Sequence, residues 1–409
     1  MRRVERRNDH RVTPNTTHFP LQPTGSAASD RLRRSDKLKG MCAMQKLSFT
    51  AHVGFYEDVK QRVYAYFEER GLSPHADWRM YLKTTLILLW LIASYALLVF
   101  ATSSLIMAII TAVGVAQGLA WVGFNIMHDG NHESYSKNKY VNRVMGFTLN
   151  FIGGSHWFWK HKHNILHHTY TNITELDEDI QVDQILRMSP VQPRKPWHRL
   201  QHIYAFPAYC FMSLLWVTIG DFRKFFTGRI GDYQLPKPSA TEATLFFLTK
   251  MCYFGYMLVL PMFFHPILYV LAFFILVQFV LGLTLALTFQ LAHVIEGNTF
   301  PKPNLEPPTI DNEWAVHEVE TTANFAPNNK LAYWLLGGLN FQIEHHLFPR
   351  ICHVHYPEVS KIVKKACEDF GIKYVSYPSV RAAIAAHYRF LKKLGRKDAV
   401  VQEEALSIS

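Results

Sequence analysis

Long apolar runs constrain the fold of this chain more than any other feature. Residues 84–102 and 105–127 form two nearly uninterrupted apolar stretches, and residues 245–264 and 267–292 form a second pair. A helix of about 20 apolar residues crosses the roughly 30 Å hydrocarbon core of a bilayer. Because only a few residues separate the runs within each pair, each pair predicts a helical hairpin. The sequence therefore predicts an all-α integral membrane protein with four transmembrane helices.

The distribution of charge around these runs predicts their orientation. Neither hairpin turn contains Lys or Arg, and the second turn is made by His265 and Pro266. Cytoplasmic loops carry an excess of Lys and Arg, so both tips are predicted to lie outside and the rest in the cytoplasm. We expect a multi-pass protein of a bacterial inner membrane, in preference to the endoplasmic reticulum, with its site on the cytoplasmic side. The basic residues on that side are Lys137, Lys139, Arg143, Lys160, Lys162, Arg194, Lys195, Arg199, Arg223, Lys224 and Arg229.

The remaining segments are predicted to form a helical cap on the cytoplasmic side. Residues 203–219 are apolar, but the run is short and Pro207 interrupts it. A further span there would separate the histidines before it from those near the C-terminus, so we predict that it lies in the membrane interface. Residues 55–72 and 356–395 have the pattern of amphipathic helices. The predicted divisions are a disordered basic leader at 1–45, one membrane domain at 46–400 and a tail at 401–409.

Charge and cysteine usage exclude several classes of protein. The formal net charge is +11, which is typical of proteins that bind nucleic acid or lie on anionic lipid. No nucleic-acid motif is present and the basic residues flank apolar runs, so we predict a lipid surface and possible contact with an acidic electron donor. The five cysteines are isolated, without a CxxC pair. This pattern excludes thiolate zinc sites and a disulfide framework.

Three histidine clusters and one further histidine are the candidate functional residues. The strings are HDGNH at 128–132, HNILHH at 163–168 and QIEHH at 342–346, and a lone histidine ends the last apolar run. On a helix, residues four apart share one face, so two imidazoles at that spacing can bind one metal ion or two adjacent ions. The candidates are His128, His132, His163, His167, His168, His293, His345, His346 and, beside the last pair, Gln342.

The number and placement of these histidines favour a metal centre. A single HxxxH pair is more often a solvated surface feature, but here three clusters fall on the same predicted face of the membrane. Imidazole is a good ligand for iron, copper, zinc and nickel. Eight histidines exceed the four ligands of a tetrahedral zinc site, so two metal ions are favoured over one.

The strings HDGNH, KHKHNILHHTYTN and GGLNFQIEHHLFP resemble the three histidine boxes of membrane fatty-acid desaturases. The third box, with Gln in place of its first His, is similar to that of front-end and related acyl-lipid or acyl-CoA desaturases. The resemblance covers about residues 47–394. It implies four spanning helices, a cytoplasmic cap and two iron ions bound by the eight histidines named above. Gln342 stands where some relatives have a ninth histidine and is a candidate ligand.

The resemblance also implies an activity. Such enzymes use O2 to introduce a cis double bond into an acyl-CoA or acyl-lipid chain, and the Gln-containing box is typical of front-end, Δ6-like insertion on an already unsaturated eighteen-carbon chain. The chain lacks the HPGG haem motif of a fused cytochrome b5. A separate ferredoxin, or a cytochrome b5 with its reductase, is therefore implied as electron donor.

Other functions remain open at this stage. A Δ9 or other regiospecificity is one alternative, and a lipid or alkane hydroxylase on the same scaffold is another. A membrane metal transporter or a zinc hydrolase belongs to a different class. A transporter places polar ligands near the bilayer midplane, whereas these histidines lie at or beyond the helix ends.

Residues near the boxes have weaker predicted roles. Carboxylates or amides inside a box can orient ligand imidazoles through the second ring nitrogen, and those candidates are Asp129, Asn164 and Glu344. The acidic turn Asp177, Glu178 and Asp179 either orients ligands, receives the electron donor or is simply solvated. His156 and His161 are predicted to lie beside the site or at the surface, and His353 and His355 are weaker candidates. Trp157, Phe158 and Trp159 are predicted to pack at the membrane interface.

Overall fold

The computed structural model describes residues 47–182 and 184–396 and is mostly helical there. The predicted leader and tail lie outside the described residues. The α-helices are Phe55–Glu69, Trp78–Ala96, Leu105–Trp121, His128–Asn131, Lys139–Phe151, His156–Trp159, Gln201–Leu215, Asp221–Thr227, Ala240–Phe254, Leu260–Met262, Ile267–His293, Trp314–Thr321, Lys330–Leu335, Gln342–Leu347, Tyr356–Phe370 and Val380–Leu394. Wider π-helical turns occupy Leu97–Ala101, Val122–Met127, Lys160–His167, Trp216–Gly220 and Gly255–Val259, and 3-10 turns occupy Glu178–Ile180, Pro196–Leu200 and His353–His355.

Five continuous helices in the described part of the chain are long and apolar enough to cross a membrane. Four of them correspond to the predicted spans: Trp78–Ala101, Leu105–Asn131, Ala240–Met262 and Ile267–His293. The first begins at Trp78 rather than at residue 84, because Asp77 caps it by accepting from the Arg79 amide at 2.9 Å. The polar side chains of this first turn reduced the hydropathy signal without ending the helix.

The fifth helix, Pro196–Thr227, is here named the crossing helix. It contains the segment predicted to lie in the interface and is longer than predicted at both ends. It packs across Ile267–His293 so closely that a Cβ on Gly282 would lie 2.5 Å from the Cys210 carbonyl oxygen. Ser213 Oγ donates to the Gln278 carbonyl oxygen at 2.7 Å at the same crossing. A side chain larger than hydrogen at residue 282 would separate the two helices.

Both ends of the crossing helix contact elements of the cap. At its start, the His198 carbonyl oxygen lies against Gly395, which follows the helix Val380–Leu394. At its end, Lys224 forms a 2.8 Å ion pair with Glu178, ten residues after the end of the second histidine box. Its outward face carries one continuous stripe of exposed apolar side chains: Trp197, Leu200, Ile203, Phe211, Leu215, Ile219 and Phe226.

The cap is built from amphipathic helices around its own apolar core. Phe55–Glu69 packs against Tyr356–Phe370, and the buried side chains between them include Phe55, Val59 and Val363. Both predicted amphipathic segments therefore form helices, the second one divided into Tyr356–Phe370 and Val380–Leu394.

Short strands fasten the connecting segments of the cap. Ser48–Phe49 pairs in parallel with Pro308–Ile310, which pairs antiparallel with Asn304–Leu305. Arg229–Ile230 and Tyr233–Gln234 form a small hairpin, and Asn324–Phe325 pairs in parallel with Ser376–Tyr377. The last pair places Asn324 beside the third histidine box, where its side chain accepts from the Ile343 amide at 3.0 Å.

Candidate metal centre

The first histidine box continues the long apolar helix Leu105–Asn131 beyond its apolar part. The π-helical turns Val122–Met127 lead into His128–Asn131, and such widened turns occur often at functional sites. His128 and His132 then lie on one face, with ring centroids 4.7 Å apart. Both imidazoles are buried although they belong to the end of a membrane helix.

The second box lies on the π-helical segment Lys160–His167. Its backbone hydrogen bond runs from the His168 amide to the His163 carbonyl, five residues back, at 3.1 Å. This wider turn brings His163 and His168 onto the same face, with their Nε2 atoms 3.2 Å apart. His167 points to a different side and its ring centroid lies 4.6 Å from that of His293.

The third box lies on the short helix Gln342–Leu347. Neighbouring residues on a helix diverge by about 100°, so His345 and His346 face different parts of the site. The His345 ring lies 4.4 Å from that of His128, and the His346 ring lies 4.9 Å from that of His167.

The structure gathers seven of the eight predicted histidines into two adjoining groups and places the eighth, His168, between them. In group one, each residue offers a ligand atom within 4.8 Å of the others, and its members are His128, His132, His163 and His345. Group two satisfies the same distance and consists of His167, His293 and His346. His168 lies between the groups, within that distance of both His345 and His346. Each of the two groups could hold a metal ion.

The ring nitrogens of these histidines are suited to bind metal. Within the described part of the chain, several buried ring nitrogens have no hydrogen-bond partner: Nε2 of His128, His132, His345 and His346, Nδ1 of His168 and both nitrogens of His293. Leaving a buried polar atom unpaired costs roughly 1–3 kcal/mol, so such a concentration requires an occupant. Burial is the main reason that the pKa values of His132, His163, His168, His345 and His346 are well below the usual range. Neutral imidazoles with free lone pairs are the form that binds metal.

The opposite nitrogens of three ligand candidates are held by other side chains. Nδ1 of His346 lies 2.6 Å from Glu318 Oε2, and Nδ1 of His345 lies 3.3 Å from the Tyr356 hydroxyl. Nδ1 of His167 lies 3.1 Å from Asp177 Oδ2. Burial opposes a charge on His167, but the Asp177 carboxylate raises its pKa overall. Each contact directs Nε2 of that imidazole toward the interior of the site.

Glu318 and Tyr356 were not anticipated from the sequence. Glu318 lies on Trp314–Thr321, a helix without any histidine-box pattern, and it is completely buried. Burial raises its pKa well above the usual range. Thr171 Oγ1 also contacts Glu318 Oε2 at 2.9 Å. Glu318 is 28 residues from His346, and Tyr356 is 11 residues from His345. Because each contact joins two separate helices, no helical spacing rule marks it.

Asp129 was predicted to orient a ligand imidazole, but its main partner is His353. Asp129 Oδ2 accepts from His353 Nδ1 at 2.9 Å, whereas Oδ1 is 3.7 Å from His128 Nδ1. Lys83 Nζ lies 3.0 Å from the other ring nitrogen of His353. His353 therefore links the first spanning helix to the first box and lies outside both histidine groups.

The two other predicted orienting residues do not hydrogen-bond to the histidine groups within the described chain, so that prediction was wrong for both. Asn164 donates to the Asn131 carbonyl at 3.0 Å and so ties the second box to the first. Glu344 accepts from Asn324 at 2.7 Å and from Tyr374 at 2.8 Å. Burial raises the pKa of Glu344 to about 7.

The acidic turn after the second box is not a solvated loop. Asp177 contacts Nδ1 of His167 and orients that imidazole, which agrees with the alternative that the turn orients ligands. Asp179 pairs with Lys162 at 2.6 Å, and Glu178 pairs with Lys224 of the crossing helix at 2.8 Å. The turn therefore forms one ion pair with the segment that carries the second box and another with the crossing helix.

The weaker histidine candidates have ordinary hydrogen bonds outside the two groups. His156 Nδ1 lies 2.8 Å from Asn150 Oδ1, and His161 Nδ1 lies 2.8 Å from the Trp157 carbonyl. His355 Nε2 donates to the His75 carbonyl at 3.1 Å. These contacts account for the three residues without a metal.

The aromatic residues before the second box divide between two environments. Phe158 packs against Phe246, and Trp157 packs against His161. Trp159 is different, because it stacks on His163 with ring centroids 4.3 Å apart and also contacts His128 and His132. The prediction that it packs at the membrane interface was wrong, since it covers group one instead.

Gln342 lies one turn before the paired histidines of the third box. The residue is buried, and its Oε1 atom has no hydrogen-bond partner among the described residues. An unpartnered amide oxygen there is compatible with a metal ion or a bound water as its partner.

Comparison with known proteins identifies similar sequences over most of the chain. A family model described as fatty acid desaturase matches residues 102–378. The sn-1 linoleoyl-lipid 6-desaturase of Synechocystis sp. is 39% identical over 87% of this chain and 99% of its own length. The protein of the same name from Arthrospira platensis is 39% identical over 85% of this chain and 95% of its own length. The acyl-lipid (8-3)-desaturase of Physcomitrium patens is also 39% identical, over 83% of this chain and 72% of its own length.

Proposed function

This chain belongs to the fatty acid desaturase family, and from that premise we propose that it inserts a front-end, Δ6-like cis double bond into a lipid-bound acyl chain. The observation that carries the proposal is the convergence of eight buried histidines, seven in two groups and His168 between them, with six of the eight having a ring nitrogen without a hydrogen-bond partner among the described residues. The name shared by the cyanobacterial relatives supports an acyl lipid rather than an acyl-CoA as substrate. Gln342, at the start of the third box, supports the front-end, Δ6-like position of the new double bond.

We propose that the two groups hold two iron ions. His128, His132, His163 and His345 are assigned to one ion, and His167, His293 and His346 to the other. His168 lies between them, and Gln342 is proposed as a further ligand, directly or through a water molecule. When bound, the two irons supply the activation of O2 that removes hydrogen from unactivated methylene groups.

The surrounding side chains hold the ligands in place and keep water away from them. Glu318, Tyr356 and Asp177 each fix the orientation of one imidazole through its Nδ1 atom. Trp159 stacks on His163 and covers one side of group one. Rigid ligands and a dry surrounding are what a reactive metal centre requires from the protein.

We further propose four membrane spans, with the crossing helix lying in the interface. Two observations support this arrangement: both ends of the crossing helix contact the cap, and histidines from before and after it meet in one site. A helix spanning the bilayer would place its two ends on opposite sides. The site is then assigned to the cytoplasmic face of a bacterial inner membrane, where a separate ferredoxin, or a cytochrome b5 with its reductase, delivers electrons.

Product analysis in a host without desaturases tests this function. Cells expressing the chain are fed linoleate or stearate separately, and derivatised fatty acids are identified by mass spectrometry. A new double bond at carbon 6 of linoleate is expected. Conversion of stearate to oleate alone would overturn the position, and a hydroxylated product would overturn the reaction.

Metal analysis of purified protein tests the centre independently. Two irons per chain are expected, since seven histidines divide into two groups and the eighth lies between them. One zinc ion and no iron would contradict the proposal and would favour a hydrolase or a transport function.

A further inference from the structure

A cluster of six basic side chains surrounds the start of the crossing helix. They come from two segments that meet there, one before and within the first turn of that helix and one at the end of Val380–Leu394. We name this cluster the basic collar; its members are Arg194, Lys195, Arg199, Lys392, Lys393 and Arg396. Neither the metal centre nor the proposed reaction uses these residues.

Backbone contacts hold the two halves of the collar together. Arg194 Nε donates to the Gly395 carbonyl at 2.7 Å. A Cβ on Gly395 would lie 3.3 Å from Arg199 Cα, so Arg199 and Arg396 belong to the same small area. The His202 ring packs 5.1 Å from that of Tyr388, one turn before Lys392. The cations are thus concentrated by the fold, although they are about 200 residues apart in the sequence.

The collar has no counter-charge within the described part of the chain. None of its six members forms an ion pair with a carboxylate among residues 47–182 and 184–396. Arg194 is bonded to a carbonyl oxygen and Lys195 to the Gln184 side chain, both of which are neutral. Arg199, Lys392, Lys393 and Arg396 are exposed. Like charges held together at a surface attract an anionic partner.

Apolar side chains next to the collar indicate the kind of partner. Trp197 and Leu200 are each 50% exposed, and Ile203 is 59% exposed. They begin the apolar stripe that runs along the outward face of the crossing helix, and Lys195 lies over the Trp197 ring at 5.4 Å. A basic rim beside a Trp-containing apolar face is typical of the boundary between lipid headgroups and acyl chains. An acidic soluble protein would not cover that apolar stripe.

We propose that the basic collar is a binding surface for anionic membrane lipids, with their phosphate headgroups held by the collar and their acyl chains along the start of the crossing helix. The proposal goes beyond the desaturase activity and rests on the placement of the crossing helix in the interface. A basic residue near an anionic bilayer surface contributes roughly fivefold to association, the equivalent of about 1 kcal/mol. Several such residues together give a strong preference for anionic over zwitterionic lipid.

Fluorescence quenching of Trp197 tests the proposal in the intact protein. The full chain is reconstituted into phosphatidylcholine vesicles containing some phosphatidylglycerol, and one lipid at a time carries brominated acyl chains. The contribution of Trp197 is the difference between the unmodified protein and Trp197→Phe. We expect brominated phosphatidylglycerol to quench Trp197 with an association constant at least about fivefold that of phosphatidylcholine, and high salt to reduce this preference.

Matched charge variants test whether the collar residues cause the preference for phosphatidylglycerol over phosphatidylcholine. The triple variant Arg199→Gln, Lys392→Gln, Lys393→Gln is expected to reduce the ratio of the two association constants to about one. The control Lys361→Gln, Lys364→Gln, Lys365→Gln removes the same charge from exposed positions on Tyr356–Phe370 and is expected to keep the ratio.

Each other outcome contradicts a defined part of the proposal. Equal quenching by both lipids would contradict the proposal that the collar binds anionic lipid. This comparison uses the protein with an unchanged collar, so it does not depend on whether the charge variants fold. No quenching of Trp197 by either lipid overturns the interfacial placement of the crossing helix, while the proposed reaction, measured from product, is unaffected. An unchanged lipid ratio in the triple variant, with a raised KM for the electron-donor protein, assigns the surface to that protein instead.

Discussion

The side-chain amide of Asn172 donates to the backbone carbonyl of His293, with nitrogen and oxygen 3.0 Å apart. The same amide lies 3.0 Å from the Thr321 carbonyl and 3.3 Å from the Thr299 carbonyl. Asn172 is completely buried and has a left-handed backbone with φ of 59°, which Asn tolerates better than most residues. The loop after the second box therefore positions the last residue of the fourth span and the helix that carries Glu318.

Replacing Asn172 should weaken group two without removing a ligand. In Asn172→Ala, the buried carbonyls of His293 and Thr321 each lose one hydrogen bond, at a cost of roughly 0.5–1.5 kcal/mol each. Both carbonyls still accept from the Asn298 side-chain amide, at 3.2 and 3.1 Å. We expect at least a tenfold loss of desaturation and less than two irons per chain, measured by product analysis and metal analysis of the purified protein.

Two further variants separate the hydrogen bonds of Asn172 from its backbone conformation. Asn172→Gly accepts the positive φ but lacks the amide, so it should be as impaired as Asn172→Ala. The control Asn304→Ala removes an exposed asparagine that bonds Thr309 and Asp311, and it should retain activity. Full iron content in Asn172→Gly would show that the backbone conformation alone matters.

Removing the carboxylate of Glu318 should lower metal affinity through His346. The Glu318→Gln variant keeps the size of the side chain but weakens the hold on Nδ1 of His346, now 2.6 Å from Oε2. Partners of this kind are typically worth about 10–100-fold in metal affinity, which chelator competition measures. Glu320→Gln is the matched control, because Glu320 is half-buried on the same helix and contacts Asn312 instead. Equal metal retention in both variants would exclude an orienting role for Glu318.

His167→Ala and His345→Ala should each abolish desaturation while the protein remains inserted in the membrane. The two residues belong to different groups, and both lie outside the five apolar helices. His161→Ala is the control, because His161 lies on the same segment as His167 but bonds only the Trp157 carbonyl among the described residues. Activity comparable to the unmodified protein in either test variant would remove that histidine from the centre.

His387 should make the protein less stable in mild acid. Burial lowers the pKa of His387 to about 4, from 6.5 in the unfolded chain. Between these values the unfolded state binds a proton that the folded state does not, so stability falls as the pH decreases from about 6.5 toward 4. At pH of about 5 the loss amounts to about 2 kcal/mol. His387 is neutral there because burial disfavours its charged form, and the hydrogen bond from Nδ1 to the Val294 carbonyl opposes this effect only in part.

Thermal denaturation of the metal-loaded protein measures this effect. His387→Gln should show a smaller decrease in Tm between about pH 7 and pH 5 than the unmodified protein. His52→Gln removes an exposed histidine and should follow the unmodified protein. Parallel decreases in all three proteins would assign the acid sensitivity to other groups.

Several features of the fold and site were readable from the sequence because their signals are local. Four apolar runs predicted four of the five long apolar helices, since crossing a bilayer demands a continuous stretch of apolar side chains. Histidine spacing predicted that His128 and His132 share a face, because residues four apart on a helix do so. His293 was found in the same way, as a lone histidine at the end of an apolar helix. The pairing of His163 with His168, five residues apart, depends on the π-helical turn that only the structure shows.

The start of the first span and the extent of the crossing helix were misjudged for a common reason. Lys83 interrupts the apolar pattern, yet it is buried against His353, which is 270 residues away. Pro207 suggested an interruption, but the helix continues through it because it packs along Ile267–His293 and Val380–Leu394. In both places a contact distant in the sequence compensates for an unfavourable local residue.

The sequence alone therefore predicted four of the five long apolar helices and the set of candidate ligands, because apolar runs and box spacing are properties of short segments. Only the tertiary structure decided how the histidines divide into two groups, since His345 joins His128 and His346 joins His167 through packing of separate helices. The same holds for Glu318, Tyr356 and Asn172, whose roles depend on atoms in segments far away along the chain. When the role of a side chain depends on contact with another segment, the sequence around it carries no repeat or characteristic spacing. Its role can therefore be identified only in the folded structure.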